Sequence, residues 1–193
     1  MSSRGRAKEL LTEAADTVFY EHGISSTSVD AVVEAAGVSK PTLYAHFPTK
    51  SAVVAAGLRH RHAARRAELE AWVAREDDPR RRPLAVFRWL AAWYAGGGQR
   101  GCAFLNAAVE APRTDWTIRT PVQEEKTWLL TFLSRLCAEA GCASPDDLAS
   151  QLLLLIDGVA GRVVVHGPEA APQAAADATR AAAALIDASE PAP

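Results

Sequence analysis

TSVDAVVEAAGVSKPTLYAHFPTKSAVV, spanning Thr27 to Val54, holds two short amphipathic segments that meet at a glycine. Val29, Val32, Val33 and Ala36 recur at helical spacing, and Gly37 closes that segment. Ser39 is a natural cap for a second segment, Lys40 to His46. Pro48-Thr49 then interrupts, and Thr49 can cap a longer helix running towards Glu76. Two short helices with a glycine at their turn form a helix-turn-helix, whose second helix enters the DNA major groove. Val29, Val32, Val33, Val38 and Leu43 would bury the pair against a preceding helix. That leaves Ser39, Lys40, Thr42, Tyr44 and His46 on the polar face, with Lys50 following. Hydroxyls and amides at helix starts hold phosphates, which makes Ser28, Ser39, Thr42, Tyr44, His46 and Lys50 candidate backbone contacts. Lys40 is the candidate for a base edge, because lysine can donate to guanine. Tyr44 and Phe47 also read as core aromatics, Phe47 the more readily.

Working outward, nearly every segment has the helical period and none alternates like a strand. Leu11, Ala15, Val18 and Phe19 form the stripe of a first helix that ends at His22-Gly23. Asp78-Pro79 marks another start, Leu84 to Tyr94 an apolar helix, and Gly96-Gly97-Gly98 its end. Cys102 to Ala111 reads as a short helix stopped by Pro112. Thr120-Pro121 is either a helix start or a proline inside a helix that began near Asp115. Ser144-Pro145 opens the next helix, Gly167-Pro168 separates the last two, and Ser189 to Pro193 is expected to be disordered. The expectation is an all-α chain of about nine helices.

Composition narrows the class. The 193 residues are 49% apolar and 23% charged, with a formal charge of -2. No uninterrupted apolar run approaches the roughly 18 residues of a membrane span; the densest is Leu152 to Ile156. MSSRGRAKEL has no apolar signal region, and three cysteines out of ligand-like spacing argue against disulfides and zinc. A reduced cytoplasm is the expected compartment. No membrane partner, metal or cofactor is expected. Up to Lys50, Arg4, Arg6, Lys8, Lys40 and Lys50 are outnumbered by Glu9, Glu13, Asp16, Glu21, Asp30 and Glu34. Binding to DNA therefore needs positive charge concentrated locally, at Lys40, His46 and Lys50, where no carboxylate intervenes in the sequence.

Gly37-Val-Ser-Lys-Pro-Thr-Leu-Tyr-Ala-His-Phe-Pro-Thr-Lys50 closely resembles the signature of the TetR/AcrR family of bacterial transcriptional regulators. Ala14-Ala15, Val18-Phe19, Gly23-Ile24 and Thr27-Ser28-Val29 resemble that family's lead-in, and the likeness covers roughly residues 7 to 58. The resemblance implies an N-terminal three-helix DNA-binding domain, residues 1–50, and a helical ligand-binding and dimerisation domain, residues 51–193. It implies a homodimer on a palindromic double-stranded operator, and a small-molecule effector whose binding usually releases the DNA.

The C-terminal residues carry their own signals. Leu148 to His166 is apolar almost all round, so it must be covered by its own subunit on one side and by something else on the other. Gly158, Ala160 and Gly161 would let another helix approach, and Ala174, Ala178, Ala181 and Leu185 form a flat stripe on the last helix. Together they suggest a four-helix interface through residues 145–187, with a buried monomer helix as the alternative. Arg100 to Glu110 resembles a GC-x-F-x-N-x-x-x-E stretch of one TetR branch. Cys102, Asn106 and Glu110 are four apart and would share a helix face lining a cavity. Asn106 satisfying backbone groups and Glu110 pairing with Arg113 is the structural alternative. Trp72, Trp93 and Trp128, with Trp89 and Trp116, are candidate pocket walls. Cys102 has only Arg100 as an evident cation to activate it, and His60 and His62 point apart, a solvated basic face more than a metal site.

No phosphate loop, nucleophile elbow or zinc-hydrolase spacing occurs, so no catalytic residue is expected. The readings to weigh are a ligand-released repressor, a ligand-independent regulator or activator, and a helical small-molecule-binding protein retaining the motif. A polar catalytic constellation would mark the last, and the sequence offers only Cys102, Asn106 and Glu110 for one.

Overall fold

The computed structural model describes residues 3–96 and 98–189, and Glu190 to Pro193, part of the expected disordered tail, lie outside them. The described residues form nine α-helices with two short 3-10 turns. They run α1 Ser3–His22, α2 Val29–Ala36, α3 Lys40–His46, α4 Lys50–Val73, α5 Arg82–Gly96, α6 Ala103–Glu110, α7 Trp116–Glu139, α8 Pro145–His166 and α9 Ala171–Ala188.

The punctuation residues act through identifiable bonds. Gly37 sits at φ 64°, and its N–H with that of Val38 returns to the Glu34 and Val33 carbonyls, closing α2. Ser39 Oγ accepts from Thr42 N at 3.3 Å and Thr49 Oγ1 from Ala52 N at 3.1 Å, opening α3 and α4. The two readings of Pro121 resolve in favour of a helix begun near Asp115: its carboxylate accepts from Ile118 N at 3.3 Å, and the proline lies inside α7. Ser144 stands at the start of α8 without a side-chain cap bond. Ser189, expected to be loose, instead caps α9 and accepts from Ala143 N at 2.9 Å.

By compactness the chain groups into residues 1–65 with 103–125, and residues 66–102 with 126–193. The division falls within α4 and within α7, so α6 and the start of α7 group with α1–α3.

In the first unit Leu11, Ala15, Val32, Leu43 and Val53 are fully enclosed, and Phe47 is core as expected. α4 comes so close to α1 that a Cβ on Gly57 would stand 2.8 Å from Asp16 N. Asp16 accepts from Arg61 Nε and lies 3.3 Å from His60 Nδ1. The Arg61 guanidinium rests 4.1 Å from the Tyr20 ring centre. This α1–α4 latch leaves His60 exposed, as a solvated face expects, whereas His62 departs from that reading, half-buried and edge-on to Phe104. Pairs 44 or 45 residues apart leave no trace in local spacing.

In the second unit Phe87, Leu133, Leu152, Val163 and Ala182 have no more than 1% exposure, each contributing about 2 kcal/mol of burial or more for its larger side chains. α8 buries Leu148, Leu152, Ile156, Val159 and Val163 on one side and exposes Leu154, Gly158, Gly161, Val164 and Val165 on another. Its length and composition would suffice to cross a membrane despite Asp157 and Arg162, although no single run in the sequence is long enough. The α9 stripe is a correction: Ala174 and Ala178 are buried within the subunit, while Ala181 and Leu185 are only half-buried. Burial, with Cys142 beside it, pushes the Cys137 thiol up to about 12, which leaves it neutral. Burial also raises the Glu139 carboxyl, but hydrogen bonds from Arg135 and Arg82 outweigh it and hold the group below its usual range.

Candidate nucleic-acid interface

The helix-turn-helix presents its polar residues outward, but two of its three expected charges are already engaged. Ser28, Ser39, Lys40 and Tyr44 are exposed, and Thr42, His46 and Lys50 are half-buried. Ser39 and Thr42 share a 2.8 Å hydroxyl contact, so both hydroxyls help build the start of α3. The Tyr44 side chain reaches solvent, 47% exposed, on a helix that buries only Leu43. His46 tilts against Phe47, 6.3 Å between ring centres.

Lys40 corrects the expectation that no carboxylate intervenes. Its ammonium lies 2.8 Å from Asp30 Oδ1 and 3.0 Å from Oδ2, across from α3 to α2. The hydrogen bond from Lys40 to Asp30, then the Asp30 charge, hold the amine above the ordinary lysine range. Lys50 turns inward, donating to the Ile24 carbonyl at 2.6 Å with its ammonium 6.0 Å from the Phe19 ring centre. It thereby braces the α1–α2 turn. Arg4, Arg6 and Lys8, at the start of α1, are exposed and join no ion pair with a described residue. The sequence reading had used these three only for counting charge.

Asp30→Asn is therefore expected to tighten binding to duplex DNA, since it frees Lys40 and removes a charge that repels phosphate. Fluorescence anisotropy at several salt concentrations reads this directly, and an affinity equal to wild type would show that the Asp30 pair does not hold Lys40 back from the duplex.

The six candidate ligand residues separate. Asn106 and Glu110 line a shallow cleft, open to solvent, with Asp16, Phe19, Tyr20 and Arg61 in the first unit. Glu110 does not take Arg113; its Oε2 accepts from Ser25 N at 2.9 Å. Cys102 precedes α6 and belongs to the second unit, where Lys126 Nζ lies 3.9 Å from its sulfur and 2.5 Å from Asp157 Oδ1. Lys126 is thus a cation near Cys102 that the sequence reading missed. Trp93 stacks with Trp89 and meets Tyr94 edge-on, 4.9 Å between centres. Trp128 stacks on Phe132 at 5.2 Å, and Trp72 receives Arg75 at 5.6 Å. All three pack partly buried on the second unit's core, whereas Trp116 is exposed.

The family model described as "Bacterial regulatory proteins, tetR family" matches residues 11–56, the segment from α1 into α4. The HTH-type transcriptional regulator TtgR of Pseudomonas putida is 37% identical over 65 residues, 31% of this chain and 31% of its own. The probable HTH-type transcriptional regulator ArpR of Pseudomonas putida matches to the same extent, so the match spans about a third of these curated relatives. A TetR-family transcriptional regulator from Streptomyces coelicolor superimposes with TM-score 0.86 and 26% identity, over 97% of each chain. A putative TetR regulator from Streptomyces avermitilis gives TM-score 0.81 and 29% identity, over 95% of this chain and 97% of its own. Residues 11–56 thus match the N-terminal helices of TetR-family regulatory proteins, and the described chain shares its all-helical fold with regulators of that family.

Proposed function

We propose that the protein is a homodimeric transcriptional repressor that reads a palindromic operator through α3 and is released by a small-molecule effector. The observation that carries this reading is the family match over residues 11–56, coinciding with a short capped helix whose polar face is open. Residues 1–50 are assigned to DNA reading and residues 51–193 to effector binding and dimerisation. Ser28, Ser39, Thr42, Tyr44, His46 and Lys50 hold phosphates, and Lys40 reaches a base edge once it leaves Asp30. The exposed Leu154, Gly158, Gly161 and Val165 side of α8 supports self-association within residues 145–187. Asn106 and Glu110 in the first unit, and separately Trp72, Trp93, Cys102 and Trp128 in the second, are the candidate effector contacts, and the working compartment is the cytoplasm.

Duplexes selected from a random library supply the test. Tyr44→Ala and Lys40→Ala should each weaken binding of the selected duplex in a gel-shift assay by about tenfold, the scale of a lost charged or well-placed hydrogen bond. The oligomeric state should not change. Wild-type affinity in both variants would remove α3 as the reading helix.

A further inference from the structure

We propose that Glu110 is a positioning residue for DNA binding: its carboxylate clamps the α1–α2 turn, and thereby sets where α2 begins. The proposal rests on the DNA-binding reading above. The Ser25 amide donates to Glu110 Oε2 at 2.9 Å across a separation of 85 residues. Both carboxylate oxygens stand 3.2–3.3 Å from the place a Cβ on Gly23 would occupy, so the acid lies directly against the turn. Glu110 forms no ion pair with a described cation, which leaves its charge to the amide.

The two ends of this contact differ in firmness. α6 is anchored by Phe104, Ala103 and Ala107, all buried, with Phe104 at 0% exposure. The turn offers little of its own: Ser25 and Ser26 are exposed, only Gly23 N, returning to Phe19, and the Ser26 hydroxyl, donating to His22, tie it locally, and Lys50, donating to the Ile24 carbonyl, is its other long-range brace. Ser28, at the start of α2, has no side-chain cap bond to fix the helix entry. A charged acceptor on a backbone amide is among the stronger hydrogen bonds, so the Glu110 bond outweighs these local contacts.

A second carboxylate from the same connection repeats the device. Asp115 caps α7 through Ile118 N and accepts from Ser51 Oγ at 2.6 Å on the first turn of α4. The α6–α7 connection thus grips the helices that flank the helix-turn-helix at both ends. A looser turn would populate the reading geometry less, and apparent affinity falls by that fraction.

The test compares full-length wild type, Glu110→Ala and Glu110→Gln by amide hydrogen exchange and by affinity for the selected duplex. In Glu110→Ala, exchange over residues 23–28 should accelerate by about tenfold, and affinity should fall by about three- to tenfold, as for loss of one charge-assisted bond. Glu110→Gln keeps an acceptor of the same reach and should restore most of both, with melting temperature and dimer content as in wild type. If Glu110→Ala fails to fold, Ser25→Pro deletes the amide proton with the acid in place and should reproduce the faster exchange. Unchanged exchange at 23–28, or faster exchange with wild-type affinity, overturns the proposal. Should wild type select no duplex, the DNA-reading function fails, while the exchange data still decide whether Glu110 clamps the turn.

Discussion

Leu154→Glu is expected to yield a folded monomer whose affinity for operator DNA has collapsed. The side chain is 70% exposed on α8, so the charge costs the subunit little. In the proposed dimer the same spot would face an apolar helix, and an unpaired buried carboxylate would cost several kcal/mol. Gly158, Gly161 and Val165 lie on the same exposed side, where the two glycines would let a second copy approach closely. Two linked reading heads exceed one by about 100- to 10,000-fold in avidity, and operator binding should fall by that order. Size-exclusion chromatography with light scattering, beside anisotropy on the selected duplex, reads both effects. A dimer that persists in the Leu154→Glu variant would move the interface off α8.

Gly57→Val should be the most destabilising single change in the DNA-binding unit. In an ordinary helix, replacing glycine gains up to about 1 kcal/mol of propensity. Here the added Cβ meets Asp16 N at 2.8 Å and the Ala15 carbonyl carbon at 3.0 Å, both backbone atoms that cannot swing aside. Overpacking of this kind costs about 3 kcal/mol, a melting temperature lower by roughly 6–12 °C in a chain of this size. The α1–α4 latch of Asp16, Arg61 and Tyr20 would open with it, and DNA binding would go too. Gly96→Ala is the control, because nothing stands within 4 Å of its Cβ at the end of α5, and its melting temperature should equal or slightly exceed that of wild type.

Local signals in the sequence were sufficient to outline the helices. Gly37, Ser39, Thr49 and Asp78 act within four residues of themselves, and each bounds a helix or turn as expected. The apolar surround of α8 likewise pointed to a helix packed by its own subunit, which covers one side and leaves Leu154, Val164 and Val165 exposed on another. The site was harder to read because its electrostatics are tertiary. Lys40 meets Asp30 only when α2 and α3 pack, and Lys50 finds the Ile24 carbonyl 26 residues away. Glu110 resembled a ligand group because it shares a face with Asn106, yet its partner is a backbone amide in the α1–α2 turn. Cys102 drops out of that row because α6 begins one residue after it. Side-chain periodicity reports the face a residue occupies, and not which distant segment will cover it.

The most direct measurement is selection of random duplexes by the purified protein, followed by the mass of the resulting complex. The prediction is an enriched inverted repeat bound by two protomers in one complex, or a multiple of two, with half-site centres about 34–36 Å apart, one turn of DNA. Binding with no sequence enriched, or one protomer on an unrepeated site, would contradict a dimeric operator-reading repressor.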